Sequence, residues 1–486
     1  MLNKPALLIL FLFIGKMHVA QSKSEDIGKI MTRYNAIGQF NGLILVAEHG
    51  KVIYEKAFGK ASYEWDINNA LDTKMEIASI TKTFTALMVM QLIEQGKIKL
   101  EGTIADYLID YNGEKASQIT VDHLLRHSSG LQRDIADFPV TGNDFPDIVA
   151  KINEEFFSLE EQIHLIAKRA LLFEPGTKYS YSSDGYAVLG RIIEKVTRLS
   201  YEQALQQLIL DPLRLANTGY KDHYAVIAKK AQGYVKSYEG IKRGRQIGIS
   251  PAGGMYSTLR DLFRWEQALY TDQLISQRSK DIIFTKTPYV VGYGWQISTN
   301  YFNSTADSIT MIRCTGSLPG YNLLVVRFPQ HRKTIILMEN LKQPVYRQFD
   351  VVKTVASALF KKPYNLPKPS LADAMLEAIR KGGVKKAMLL YDENLKTGGY
   401  AINEGEINGI GYFLLNERKQ VDEAIAVFQV NVQLFPRSAN TYDSLAEGYM
   451  RKGDKQKAIF YYEESMRLDP GNDNAKQMIE KLKQQE

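Results

Sequence analysis

A 34-residue repeat near the C-terminus constrains this chain more tightly than any other feature. Ala424, Ile425, Phe428, Leu434 and Pro436 recur as Ala458, Ile459, Tyr462, Leu468 and Pro470. A period of that length corresponds to a pair of helices, which buries its apolar face only by stacking on neighbouring pairs. A weaker unit, GGVKKAMLLYDEN from Gly382, precedes it slightly out of period, and Asn474 to Leu482 reads as a polar closing helix. Upstream, PYNLPKPS at 363–370 places three prolines in eight positions, which no helix tolerates. The reading divides the chain into a body at 21–362, a proline-rich linker at 363–370 and an all-α repeat domain at 371–486.

The body is long enough for its own core, and a chain of 486 residues with 45% hydrophobic and 24% charged residues has the composition of a packed protein. Asn41 to Gly59, NGLILVAEHGKVIYEKAFG, carries two β-rich runs joined across His49-Gly50, hence a hairpin. Helical patterns cover Thr83 to Gln95 and Val121 to His127. Strand-like runs return at Thr310 to Cys314, Leu323 to Phe328 and Thr334 to Met338, and a last helical pattern covers Val351 to Phe360. Strands at both ends with helices between predict an α+β body whose sheet pairs its own termini.

The net charge of +7 is spread along the chain, which argues against a nucleic-acid partner. Lys4, the apolar run Ala6 to Gly15 and Ala20 before Gln21 lay out a secretory signal over 1–20. Its apolar run is too short to span a membrane, and no later run is long enough either. The expectation is a secreted or periplasmic protein, tethered to the membrane if the signal stays uncleaved. The one cysteine, Cys314, excludes an intramolecular disulfide.

The string EIASITKTFTALMVMQLIEQGKI places Ser79 and Lys82 three residues apart at the start of a helical pattern, on one face and one turn apart. A serine hydroxyl becomes a nucleophile when a base takes its proton, and a lysine serves as that base when burial or a neighbouring cation favours its neutral amine. The helix N-terminus adds partial positive charge beside Ser79, where an oxyanion would develop. Taken alone, Ser-x-x-Lys is common on solvated helices.

Its surroundings carry more. ITVDHLLRHSSGL at Ile119 to Leu131, EPGTKYSYSSDGYAVLG at Glu174 to Gly190, SPAGGMYSTLRDLFRW at Ser250 to Trp265 and CTGSLPGYN at Cys314 to Asn322 follow in order. With the hairpin, they make Asp26 to Phe360 resemble the β-lactamase-related serine hydrolases, the group of class C β-lactamases, D-alanyl-D-alanine carboxypeptidases and esterase relatives. The tail similarly resembles tetratricopeptide repeats.

The resemblance implies an antiparallel sheet flanked by helices, a helical region and no cofactor. It implies Ser79 as nucleophile, Lys82 as its activating partner and Tyr181 as the second-motif tyrosine, with the backbone N–H groups of Ser79 and Ser317 as oxyanion hole. Substrate-binding roles carry over to Ser183, Cys314, Thr315 and Gly316. Two positions depart from the pattern. Ser183 stands where the family's Tyr-x-Asn has asparagine, so positioning should loosen. Cys314 stands where Lys-Thr-Gly or His-x-Gly has a cationic side chain, and a neutral thiol cannot clamp a carboxylate. Arg313 should face the other side of the strand.

The expected activity is hydrolysis of an ester or amide bond, in a peptide, a β-lactam-like molecule or another small substrate, through a Ser79 acyl-enzyme. The competing expectation is a ligand-binding or scaffolding protein whose weakened motifs no longer turn over and whose repeats bind a protein partner. His127 reads as a contact at a helix C-terminus beside a left-handed Gly130. Ser128 and Ser129 lack a Gly-x-Ser-x-Gly elbow, and the other histidines show no metal-binding spacing. Specificity is expected in loops such as Asp134 to Phe157.

Overall fold

His49 and Gly50 adopt left-handed φ values of 52° and 74°, the two-residue turn that closes a twisted hairpin. They join β1 (Gly42–Glu48) to β2 (Lys51–Phe58). This is a computed structural model, describing residues 22–134, 157–220, 225–245, 248–287, 289, 291–299, 301–302 and 309–484. The segment at 1–20 expected as a signal and residues 135–156, within the stretch expected to carry specificity, lie outside them.

Four later strands complete the sheet: β3 (Gln296–Ser298), β4 (Met311–Leu318), β5 (Tyr321–Phe328) and β6 (Lys333–Glu339). The order is β3-β4-β5-β6-β1-β2, with every neighbour antiparallel. β1 pairs with β6 from Gly42 opposite Glu339 to Glu48 opposite Lys333, so the two ends of the body meet in mid-sheet. All of β5 and β6 is buried, which explains their near-continuous apolar runs. The Cys-Thr-Gly motif falls inside β4, which extends beyond the expected strand end at Cys314 to Leu318.

Each sheet face is covered by helices. On one, Ile44, Val46, Leu324 and Leu337 pack with Ile27 and Ile30 of α1 (22–36) and with Val351 and Val355 near the end of the body. On the other, Leu43, Leu45, Val325 and Met338 share a core with Phe84 and Met88 of α2 (Thr81–Glu94). Every residue of α2 from Thr81 to Leu92 is buried, so it is a central helix with no polar face. Its threonines are satisfied locally: Thr83 Oγ1 donates to the Ile80 carbonyl at 2.6 Å, and Thr85 Oγ1 to the Pro251 carbonyl at 2.6 Å. Around it lie α3 (Val121–Leu125), α4 (Ser183–Thr197) and α5 (Leu259–Ala268). The helix over the opposite face, α6 (Val345–Leu359), begins earlier than its apolar periodicity indicated.

The chain separates into two compact units, Met1–Lys236 with Ile241–Tyr364, and Ser237–Gly240 with Asn365–Glu486. The division falls inside the proline-rich segment, whose residues 362–369 belong to no helix or strand. The second unit contains α7 (Leu371–Thr397), α8 (Glu404–Tyr412), α9 (Val421–Leu434), α10 (Ala439–Lys452), α11 (Lys455–Leu468) and α12 (Asp473–Gln484). α7 breaks at Gly382 and Gly383. The repeated positions Ala424, Phe428, Ala458 and Tyr462 are all buried, the inward stripe of α9 and α11, the corresponding helices one repeat apart. Gly448 lets α10 lie close on α9: a Cβ there would stand 3.1 Å from Ile425 and 3.3 Å from Phe428.

Candidate active site

Ser79 sits in a single 3₁₀ turn, Ala78–Ile80, that leads directly into α2. Ala78 before it holds a left-handed φ of 50°, unusual for a residue with a Cβ, so the turn carrying the serine is strained. The turn lies against β4. A Cβ on Gly316 would stand 2.3 Å from the Ile77 carbonyl oxygen and 3.2 Å from the Ala78 Cβ. Glycine is therefore required at the third motif for the serine turn to seat on the strand.

Lys82 is buried, with 2% of its surface exposed, and Nζ faces three acceptors. It donates to the Ala252 carbonyl at 2.8 Å, to Ser79 Oγ at 3.2 Å and to Ser183 Oγ at 3.3 Å. Three acceptors match the three protons of an ammonium, and burial without them would be costly. The Ala252 carbonyl comes from the Ser-Pro-Ala-Gly-Gly string, whose part in the site was not visible in the residues themselves. Ser183, the first residue of α4, keeps a contact with the lysine at the long end of hydrogen-bond range.

Tyr181 immediately precedes the α4 N-cap. Ser182 caps the helix, its Oγ accepting the Gly185 N–H at 3.0 Å and donating to the Gln132 carbonyl at 2.6 Å. This anchoring sends the Tyr181 hydroxyl to Ser79 Oγ, to which it donates at 2.9 Å. Lys82 Nζ lies 4.9 Å from the Tyr181 ring centroid. Ser79, Lys82 and Tyr181, separated by up to 102 residues, thus meet around one oxygen.

These side chains line a cavity of about 200 Å³ together with Cys314, Thr315 and Ser317. Cys314 is 3% exposed and faces the central core, where burial pushes its thiol up and keeps it neutral. Arg313 points to the opposite face, donating to Gln296 at 2.9 Å and covering the Phe349 ring at 4.4 Å. One cation does share Cys314's face. Arg327, opposite Ile312 on β5, is buried and bonded to Glu266 of α5 at 2.7 Å.

His127, Arg133, Tyr179 and Trp295 also line the cavity, a set that motif reading did not assign. α3 ends at Leu125, short of the expected His127, because His127 turns the chain with a φ of 60°. Its buried ring lies 4.6 Å from that of Tyr181, and Nδ1 accepts the Ser182 N–H at 3.1 Å. Burial, then the charge of Lys82, lowers its pKa to about 3. No group of three or more His, Cys, Asp or Glu side chains among the described residues could hold a metal ion.

The beta-lactamase family model matches residues 27–357. The chain belongs to the beta-lactamase family. That places it in the superfamily of serine hydrolases that also holds penicillin-binding proteins, and a tetratricopeptide-repeat model matches 439–472 in the second unit. A penicillin-binding protein of Bacillus subtilis (strain 168) is 27% identical over 447 residues, covering 87% of this chain and 92% of the relative. Among solved structures, a penicillin-binding protein from Bacillus halodurans shares the fold with a TM-score of 0.58 and 22% identity, covering 67% of this chain and 99% of the other. A D-amino acid amidase from Ochrobactrum anthropi SV3 does so with a TM-score of 0.57 and 21% identity, over 68% and 99%. For this beta-lactamase-family member, no helix among the described residues is long and apolar enough to cross a membrane.

Proposed function

We propose that this protein hydrolyses an ester or amide bond through an acyl-enzyme on Ser79, with a preference for substrates that lack a carboxylate on the β4 side. The observation that carries the reading is the meeting of Tyr181 Oη at 2.9 Å and Lys82 Nζ at 3.2 Å on Ser79 Oγ. The Tyr181 and Lys82 pair acts in the state that lacks one of its protons: Ser79 Oγ bonds to the substrate carbonyl carbon while its own proton passes to the vacant site on that pair. The carbonyl oxygen becomes an oxyanion facing the Ser79 and Ser317 N–H groups at the cavity wall. The same pair returns the proton to the departing amine or alkoxide, leaving the acyl-enzyme. Water then attacks the acyl carbon and gives a proton to the pair, which passes it to Ser79 Oγ as the acyl–Oγ bond breaks and the acid leaves. Export through the segment at 1–20 belongs to the same proposal.

The test is mass mapping after treatment with a fluorophosphonate, with Ser79→Ala as control. Labelling confined to Ser79 supports the reading. An unlabelled Ser79 in folded protein sinks it and favours a binding role.

The substrate preference rests on Cys314. A carboxylate beside β4 meets a buried neutral thiol, while Arg327 behind it is already paired with Glu266. His127 and Arg133 belong to the part of the wall around the second motif, where the Arg133 carbonyl accepts the Ser183 N–H. Cys314→Lys should therefore raise acylation by penicillins about tenfold relative to an uncharged ester, the worth of one charge-assisted contact. Equal ratios in the two proteins would remove the carboxylate argument and leave the acyl-enzyme reading intact.

A further inference from the structure

His127 takes no proton in the scheme above, yet it touches the second motif through both its ring and its Nδ1. Its ring lies 4.6 Å from that of Tyr181 with planes 33° apart, 5.1 Å from that of Tyr186, and edge-on to Tyr179 at 6.0 Å. Its Nδ1 accepts the Ser182 N–H, so the ring proton sits on Nε2. Ser182 is the residue between Tyr181 and Ser183, and this bond helps hold the peptide that aims both, beside the Ser182 Oγ bond to Gln132 and the Ser183 N–H bond to Arg133. The left-handed φ of 60° is the conformation that turns the ring back onto the tyrosine. Chain position alone does not explain a strained, enclosed histidine at that point.

Resting on the acyl-enzyme reading, we propose that His127 is a positioning residue: its ring clamps the Tyr181 phenol against Ser79, and its Nδ1 locks the backbone that carries Tyr181 and Ser183. The groups facing the ring are Lys82 from α2, Tyr179 and Tyr181 from the segment before α4, and Tyr186 from α4 itself. Lys82 is the cation among them, standing 4.9 Å and 5.8 Å from the Tyr181 and Tyr186 ring centroids. A second charge on His127 would oppose it. With its pKa lowered to about 3 by burial and by Lys82, the imidazole stays neutral and acts through packing and one accepted bond.

Two substitutions in the full-length protein separate these contributions. His127→Asn keeps an acceptor for the Ser182 N–H and loses the ring, whereas His127→Phe keeps a ring and loses the acceptor. Fluorophosphonate labelling of Ser79, followed against probe concentration, gives a maximal rate and a half-saturating concentration for each. The expected result is a maximal rate lower by about tenfold or more in both variants, with half-saturation within about twofold of the parent, because orientation and not probe binding is lost. Two results would overturn the proposal: maximal rates within about twofold of the parent in both variants, or a rate loss that only follows the loss of folded protein on heating. Absence of Ser79 labelling in the parent protein defeats the acyl-enzyme reading itself and this inference with it. Equal labelling in parent and variants defeats the inference alone.

Discussion

Lys82→Ala is expected to slow acylation of Ser79 by about a thousandfold or more, the range seen when a positioned acid or base is removed. The side chain reaches three acceptors from a buried position, and alanine takes the donor away from all of them. Ser79 Oγ then keeps only Tyr181, and the negative charge that develops during attack loses its nearest cation. Lys82→Arg is the sharper comparison. Arginine keeps a positive charge but brings a planar fork into a site shaped for a compact ammonium, so it should recover little of the rate. The measurement is the labelling rate of Ser79, with the unfolding temperature recorded alongside. A rate within about tenfold of the parent in folded Lys82→Ala would leave Tyr181 as the sole activating group.

Glu266→Ala should destabilise the first unit by about 3–5 kcal/mol, the penalty for leaving a buried partner charge uncompensated. Glu266 is fully buried and accepts from Arg327 Nε at 2.7 Å and Thr334 Oγ1 at 2.9 Å. The Arg327 guanidinium lies over Tyr270, Phe284 and Trp295, at 4.5, 5.1 and 5.9 Å from their ring centroids, and the residue is buried. All three tryptophans, Trp65, Trp265 and Trp295, lie in this unit, so denaturation followed by tryptophan fluorescence reports on it separately from the repeats. Replacing both partners, Glu266→Leu with Arg327→Met, should recover most of the loss, because a well-packed apolar pair avoids the desolvation of two charges. A single-variant loss below about 1 kcal/mol would mean that water reaches Arg327 once the carboxylate is gone. Trp295 lines the cavity, so this pair also supports the wall on which Cys314 stands.

Much of this architecture was legible in local sequence because local physics decides it. His49-Gly50 between two β-rich runs specifies a hairpin turn, and apolar runs at 323–328 and 334–338 read as strands because both sheet faces are covered. The 34-residue repeat announced its helices because each must present the same stripe, from Ala424 to Ala458 and from Phe428 to Tyr462, to its neighbours. Ser79 and Lys82 needed only helical spacing to be paired, and ordered motif strings brought Tyr181, Ser183 and Ser317 beside them as candidates.

What sequence alone determined, then, was which elements form, their order and the short-range pairing of Ser79 with Lys82, since these follow from turn chemistry, periodicity and motif. Tertiary structure decided what each candidate faces. Ala252 gives Lys82 its shortest hydrogen bond through a backbone carbonyl, which carries no residue-type signal. Gly316 is small for the turn before Ser79, a contact across 238 positions that no local pattern encodes. Cys314 looked like a substrate contact with a missing charge, and the fold shows it turned toward a core that already contains Arg327 and Glu266. His127 read as a helix end because neighbours in sequence suggest caps; its place against Tyr181 exists only once α3 and the segment before α4 pack together and exclude water from the ring.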